Sequence, residues 1–324
     1  MLITIFILLI ISALTGATYN VFLKKSPEKL LFSFWVAIFT FLGMTIAFYK
    51  NQYSHGMCLT TITDRIFTLA TENSLNYVIV SLVLTLSIAL KAYLFNCYNL
   101  SKIIPILKIG TPLTALLYFF LGDSLTTNQV VGIGLISFGA FISGFDRFHY
   151  PNIFKPLFNL PFYLYIGALA MALLDTSENL IVYLTTEANP TTQKVINFFH
   201  AQGLTHFTNQ FVIPLEYFQV SSFFFIVIFF LYILFATKKS CFTILKEFRA
   251  QKKAILLASL ANFVSQYLYY FTYQGNDQAL VVAFSKFSVP ITLAFAYLTL
   301  KEKIQLPELV GVGLIIVGGI IGAF

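Results

Sequence analysis

Runs of about twenty apolar residues recur along this chain between short polar turns, and no other feature restricts its fold as strongly. A helix of about 17–25 apolar residues matches the hydrocarbon thickness of a bilayer. Only a helix or a closed barrel satisfies its own backbone there. Such runs lie near 2–23, 30–49, 77–98, 102–121 and 127–145, and again near 160–184, 217–237, 254–274, 278–300 and 306–324. The chain is 58% hydrophobic and 10% charged, against about 25% charged for a soluble domain. Its mean hydropathy is +0.82. These values exclude a soluble fold and predict an all-α integral membrane protein of ten transmembrane helices. The N-terminal MLITIFILLI has no basic leader and no A-x-A site, so it reads as the first span and not a cleaved signal. Polar stretches at 50–76, 185–216 and 238–253 read as connections. The last, KKSCFTILKEFRAQKK, is a basic and partly amphipathic connector suited to the membrane surface.

The chain also repeats itself. LKIGTPLTALLYFFLGDSLTTNQVVGIGLISFGAFISG aligns with SKFSVPITLAFAYLTLKEKIQLPELVGVGLIIVGGIIGA after one inserted residue. Lys108 falls on Lys286, Pro112 on Pro290, Asp123 on Glu302, Gly132 on Gly311 and Gly139 on Gly318. Upstream, KAYLFNCYNLS echoes SQYLYYFTYQG, which pairs Lys91 with Ser265 and Tyr93 with Tyr267. More weakly, Asn20 matches Asn179 and Gly16 matches Asp175. The expected organisation is a first five-helix repeat at 1–146, a linker at 147–159 and a second repeat at 160–324. An odd number of spans inserts the second half the other way up. The result is an inverted-topology repeat, an architecture that serves alternating access in many transporters.

Loop charge sets the expected sidedness. Of 20 Lys and Arg, three lie inside spans (Lys91, Lys108, Lys286). Fourteen of the rest fall in alternate loops, around 24–29, 102, 147–155, 238–253 and 301–303, and only Lys50, Arg65 and Lys194 lie opposite. By the positive-inside rule the basic loops are cytoplasmic and both termini are not, in a multi-pass protein of the cell (inner) membrane.

The duplicated signature resembles the drug/metabolite transporter superfamily, in its EamA-like branch. It consists of a proline in the fourth span, an acidic residue opening a short turn, then a glycine-rich fifth span. Pro112, Asp123, Gly132, Gly134 and Gly139 carry it once, and Pro290, Glu302, Gly311, Gly313, Gly318 and Gly319 carry it again. The resemblance covers nearly the whole chain. It departs from the family in Asp123 where glutamate is usual, in the long 185–216 stretch, and in the sidedness given by loop charge. What it implies is a central cavity lined by spans one, three, four, six, eight and nine, and transport of small organic solutes. In the sugar-phosphate and nucleotide-sugar carriers, lysines of the fourth and ninth spans hold anionic groups, which by resemblance touches Lys108 and Lys286.

Ionisable groups inside a membrane are rare and default to functional candidates. Lys91 and Lys108 sit about seven to nine residues from the turn at 99–101, roughly 10–14 Å along a helix. Lys286 lies at comparable depth in span nine, with Gln266 level with it in span eight. Ammonium groups converging there would attract a carboxylate or phosphate; lysines this near a helix end also snorkel to headgroups. Asp175 and Glu178, three apart in LLDTSENL, share a helical face. They could couple protons, neutralise the lysines, or meet a substrate ammonium as in an amino acid. Asn20 and Asn179 could bind substrate or simply bridge helices. Tyr93, Tyr267 and Tyr270 could stack on a ring or form an interfacial belt.

The expected function is therefore a secondary transporter of a small organic metabolite bearing a carboxylate or phosphate. A flippase for a phosphate-bearing lipid and an intramembrane lipid-modifying enzyme are the alternatives. No GxSxG, HExxH or Walker A occurs. The histidines (His55, His149, His200, His206) fall in connections, and Cys58, Cys97 and Cys241 have no paired spacing. No catalytic residue, cofactor, metal or nucleic-acid partner is called for. The partners expected are the solute and the lipid bilayer, and a monomer is a plausible working unit.

Overall fold

The computed structural model describes residues 2–54, 58–72, 74–107, 126–143, 170, 173–174, 214–273 and 288–323. Among them every regular element is a helix: α1 (Leu2–Lys25), α2 (Lys29–Ser54), α3 (Leu59–Glu72), α4 (Ser74–Cys97), α5 (Leu100–Leu107), α6 (Thr127–Ser143), α7 (Pro214–Ala236), α8 (Cys241–Tyr273), α9 (Ser288–Leu300) and α10 (Leu306–Ala323). Segments Ile7–Lys25, Lys29–Lys50, Tyr77–Cys97 and Tyr217–Phe235 are long and apolar enough to cross a membrane. Val130–Gly139, Ser288–Leu300 and Leu306–Gly322 are shorter apolar helices. The expected spans at 102–121 and 160–184 lie mostly outside the described residues. Hydroxyls in these helices fold back on the preceding turn, as from Thr15 to the Ile11 carbonyl at 2.9 Å and from Ser259 to Ile255 at 2.7 Å. Without water such a bond costs the helix little and hides the polar atom.

Two connections differ from the sequence reading. The 50–76 stretch holds α3, whose Leu69 packs with Tyr77 of α4 and Tyr217 of α7 in one buried cluster. Its threonines and lone Asp64 and Arg65 made LTTITDRIFTLATE look like a loop, although its apolar residues recur at helical spacing. The basic connector is likewise the first part of α8, which bends at Gln251 (φ −119°, ψ 16°) and continues as helix to Tyr273. Trp35 Nε1 donates to the Ile244 carbonyl at 3.0 Å and its ring lies 4.7 Å from that of Phe248. These contacts tie the connector to α2.

The tightest packing is between α6 and α10. A methyl on Gly132 would lie 2.5 Å from the Gly318 carbonyl oxygen, and one on Gly139 would lie 2.5 Å from that of Gly311. The reverse substitutions collide equally: Gly318 against the Gly132 oxygen at 2.6 Å, and Gly311 against Gly139 at 2.3 Å. Positions rise on one helix as they fall on the other, so the two helices cross antiparallel. Gly134 and Gly313, two residues along from Gly132 and Gly311, would meet nothing within 4 Å. Only the facing glycines therefore serve the close approach.

Among the described residues, the basic segments around 24–29, 238–240 and 301–303 lie with the α4–α5 turn at one end of the bundle. Lys24 Nζ, at the end of α1, donates to the Phe95 carbonyl (2.6 Å) and the Tyr98 carbonyl (2.5 Å) at the end of α4. Two residues further on, the Glu302 carboxylate accepts the Leu100 N–H (3.0 Å) and the Ser101 N–H (2.9 Å), the first amides of α5. A cation on a helix C-terminus and an anion on an N-terminus each complement the end they cap. Lys301 adopts φ 54° after α9, a left-handed cap position, and the Glu302 N–H returns to the Ala296 carbonyl at 3.3 Å. That turn delivers Glu302 to α5. Glu308, buried in the first turn of α10, accepts the Gln305 N–H at 2.9 Å and meets Ser101 Oγ at 3.5 Å. Lys239 pairs with Glu28 at the same end.

Two stability predictions follow from this packing. Gly139→Ala and Gly311→Ala should each cost about 1–3 kcal/mol by overpacking. Gly134→Ala and Gly313→Ala should be neutral or stabilising by up to about 1 kcal/mol, from helix propensity alone. Reversible unfolding in detergent micelles measures both; equal effects at the two kinds of glycine would contradict the crossing. In the same assay Glu302→Ala should cost about 1–2 kcal/mol for the lost cap. Lys239→Ala, which breaks a half-exposed pair, should cost less than about 1 kcal/mol.

Candidate functional site

A cavity of about 140 Å³ lies between α1, α2, α4, α7 and α8. Ser33 and Phe41, which line it on α2, are four and twelve residues beyond Lys29. The cavity thus spans roughly 6–18 Å from the basic end, within the apolar depth of the bundle. Aromatic rings form much of its wall: Tyr19, Phe41, Tyr217, Phe218 and Phe225. Its polar groups are hydroxyls and carboxamides, from Ser33 and Thr40 on α2, Ser221 and Ser222 on α7, and Asn262 and Gln266 on α8. None of the described lining residues carries a formal charge.

Interhelical hydrogen bonds frame this space. Thr40 Oγ1 donates to the Ser259 carbonyl at 3.5 Å and accepts from Asn262 Nδ2 at 3.1 Å, joining α2 to α8. Ser12 Oγ donates to the Ser265 carbonyl (2.9 Å) and Ser265 Oγ to the Ser12 carbonyl (2.8 Å), joining α1 to α8. One turn along, Gly16 leaves room for Ser265, whose Oγ would be 3.0 Å from an added methyl. Gln219 Nε2 donates to Thr45 Oγ1 at 2.5 Å across α7 and α2, and Ser81 Oγ lies 3.3 Å from the Ser221 carbonyl across α4 and α7. Small polar residues at such crossings are the usual adhesive between membrane helices.

Of the residues expected from sequence, Gln266 lines the cavity, and its side chain makes no hydrogen bond among the described residues. Lys91 stands just behind the wall. Its Nζ is 5.1 Å from the centroid of the Tyr19 ring and 5.5 Å from that of Phe95. An ammonium over an aromatic face is attracted by the ring quadrupole, and more strongly when desolvated. Asn20 follows Tyr19 on α1, and its Oδ1 is buried with no donor among the described residues. Tyr267 stacks between Phe263 (5.9 Å) and Phe271 (6.3 Å) on α8. Tyr93 is 58% exposed on the outer surface of α4. Tyr270 lies on α8, with its side chain outside the described residues. Lys108, Lys286, Asp175, Glu178, Asn179 and Asp123 also lie outside them.

Sequence reasoning missed Thr40, Ser222 and Asn262. A signal was available: Ser33 and Thr40 are seven apart on α2, and Asn262 and Gln266 four apart on α8, so each pair shares a helical face. Among the described residues no group of His, Cys, Asp or Glu is arranged to hold a metal.

The chain matches no known protein-family model. It is 42% identical over 65 residues to an uncharacterized protein of Methanocaldococcus jannaschii, a match covering 20% of this chain and 47% of that protein. The chain thus spans about half the length of the curated relative it matches. The likeness is local and carries no activity with it. The helices and their apolar lengths fit a membrane-embedded protein.

Proposed function

We propose that the chain is a ten-span secondary transporter of a small organic metabolite. It is built from two inverted five-helix repeats like those of the EamA-like drug/metabolite transporters and works by alternating access. One observation carries this reading. The sequence repeat makes Gly132 equivalent to Gly311 and Gly139 equivalent to Gly318. The contacts are Gly132 with Gly318 and Gly139 with Gly311. Exchanging equivalent residues turns each contact into the other. Because the helices are antiparallel, the operation is a two-fold axis perpendicular to them, the relation that inverted repeats require. Two further packings support it. The α2–α8 and α4–α7 contacts exchange under the same operation, as second span on eighth and seventh on third. The cavity is lined by helices of both halves.

The cargo bears a carboxylate or phosphate, because Lys91 is held at mid-depth beside the cavity wall and Lys108 and Lys286 repeat a cation in the fourth and ninth spans. Asp175 and Glu178 serve as proton-coupling or counter-ion groups. In proteoliposomes given anionic, zwitterionic and cationic solutes, Lys108→Ala and Lys286→Ala should each weaken handling of the true substrate about tenfold or more, the loss of a charge-assisted bond. Normal transport by both variants would remove the anion site. Proton-dependent uptake that survives Asp175→Asn with Glu178→Gln would remove the coupling role.

The basic end faces the cytoplasm. Three exposed native cysteines report on this: Cys97 and Cys241 lie at that end, and Cys58 lies between α2 and α3 at the other. A membrane-impermeant maleimide added to intact cells should label Cys58 and spare Cys97 and Cys241. The opposite pattern would invert the orientation.

A further inference from the structure

The unspent hydrogen-bonding groups of the cavity specify what part of a solute fits there. Thr40 has one hydroxyl proton, and it goes to the Ser259 carbonyl. Thr40 Oγ1 must therefore act as acceptor toward Asn262, which fixes Nδ2 as the Asn262 atom on that side. The Asn262 carbonyl Oδ1 then remains without a donor among the described residues, in a side chain that lines the cavity. One helical turn further along α8, Gln266 lines the same cavity with both its carbonyl and its amide uncommitted. Ser222, facing from α7, makes no hydrogen bond among the described residues. These groups face the open cavity, where a solute that supplies matching hydrogen bonds can take the place of water. The matching part of that solute is uncharged. Among the described residues no ionised side chain lines this space, and an unpaired ion against that wall would lose its hydration without a counter-charge. The one cation nearby is already held against Tyr19 and Phe95.

We infer that Asn262 and Gln266 form a subsite for a neutral amide-type group, one presenting an N–H donor beside a carbonyl acceptor, with its apolar ring or chain against Tyr19, Phe41 and Phe225. The acceptor set needs a donor from the ligand, and Gln266 offers the complementary donor and acceptor side by side. This subsite rests on the transporter reading only for its meaning to transport. Within that reading it holds the uncharged portion of the cargo, separate from the lysines that hold the anionic portion. The cavity volume of about 140 Å³ accommodates a single ring with a small substituent.

Benzamide, benzoate and benzylammonium share one shape and differ in charge, which makes them suitable probes. Binding to the full chain in lipid nanodiscs can be followed by saturation-transfer NMR and calorimetry, independently of any transport. Benzamide should bind, and Gln266→Met and Asn262→Leu should each weaken it about 3–10-fold, the loss of one or two neutral hydrogen bonds. Benzoate and benzylammonium should be insensitive to both changes, because any binding of theirs is elsewhere. Gln266→Glu should create an affinity for benzylammonium while weakening benzamide and leaving benzoate unchanged, a switch that a merely packing role for Gln266 would not produce. Circular dichroism and elution volume confirm that each variant is folded before its affinity is read. Absence of benzamide binding overturns the subsite, as does benzamide affinity unchanged in both Gln266→Met and Asn262→Leu. Benzamide that binds through Gln266 while no solute of the anionic, zwitterionic and cationic panel is carried across proteoliposomes leaves the subsite standing and removes the transporter reading instead.

Discussion

The glycine crossing of α6 and α10 is the constraint on which the rest of the arrangement depends. Hydrophobic burial cannot drive helices together inside lipid, because the lipid is as apolar as the helices. What remains is close contact and polar bonding. Along α6 and α10 the backbone of one helix lies against the backbone of the other, so that a single added methyl at Gly139 or Gly311 would fall within 2.5 Å of a carbonyl oxygen. Such an approach maximises dispersion contact over the full crossing. Between the facing glycines backbone meets backbone, so a change of angle there has little slack to draw on. α5 packs against both α6 and α10, and α9 packs against α5, so the position of the crossing passes directly to the middle of the bundle.

At the basic end the same economy uses charge. A helix that stops inside or at the edge of a membrane exposes four amides or four carbonyls that lipid cannot satisfy. The turn between α4 and α5 exposes one set of each within a few residues. Lys24 covers the carbonyls and Glu302 covers the amides, from opposite halves of the sequence. Their charges attract one another across the turn as well. The Lys239–Glu28 pair has the same chemistry but is half exposed, so water screens it and little stability comes from it. The two lysine contacts differ in burial, and burial decides which of them holds the end together.

Much of the fold was legible from sequence because membrane helices announce themselves by length and composition. Four long spans and three shorter apolar helices fall where the apolar runs are. The pairing of the glycines was half legible: their duplication was visible, while the exchange of partners in the crossing needed the structure. Glu302 was marked only as an acidic residue opening a turn. Its bonds to Leu100 and Ser101 reach across some two hundred positions, and no local pattern encodes such a distance. α3 was hidden by its polarity, which marks a helix lying against the bundle with one face open. The cavity was hidden for a different reason. Attention goes to ionisable residues in an apolar run, whereas Thr40, Ser222 and Asn262 are neutral, cost less to bury and attract no notice until they are seen facing one another.

That contrast bears on how a single site could treat a cargo of mixed character. Lys91 is not among the described residues that line the cavity; its ammonium lies 5.1 Å from the centroid of the Tyr19 ring, which does line it. A cation placed there makes the ring face less negative and the phenol edge a better donor, so its charge is felt inside while its hydration cost is not borne there. Hydroxyls and carboxamides within reach of that field can hold neutral groups without the penalty of an exposed ion in the pathway. A fixed charge lining the path would bind an opposite charge tightly and release it slowly. Neutral hydrogen-bonding groups in the cavity and a cation against one of its rings thus make one arrangement, with the polar contacts inside and the charge set against an aromatic face.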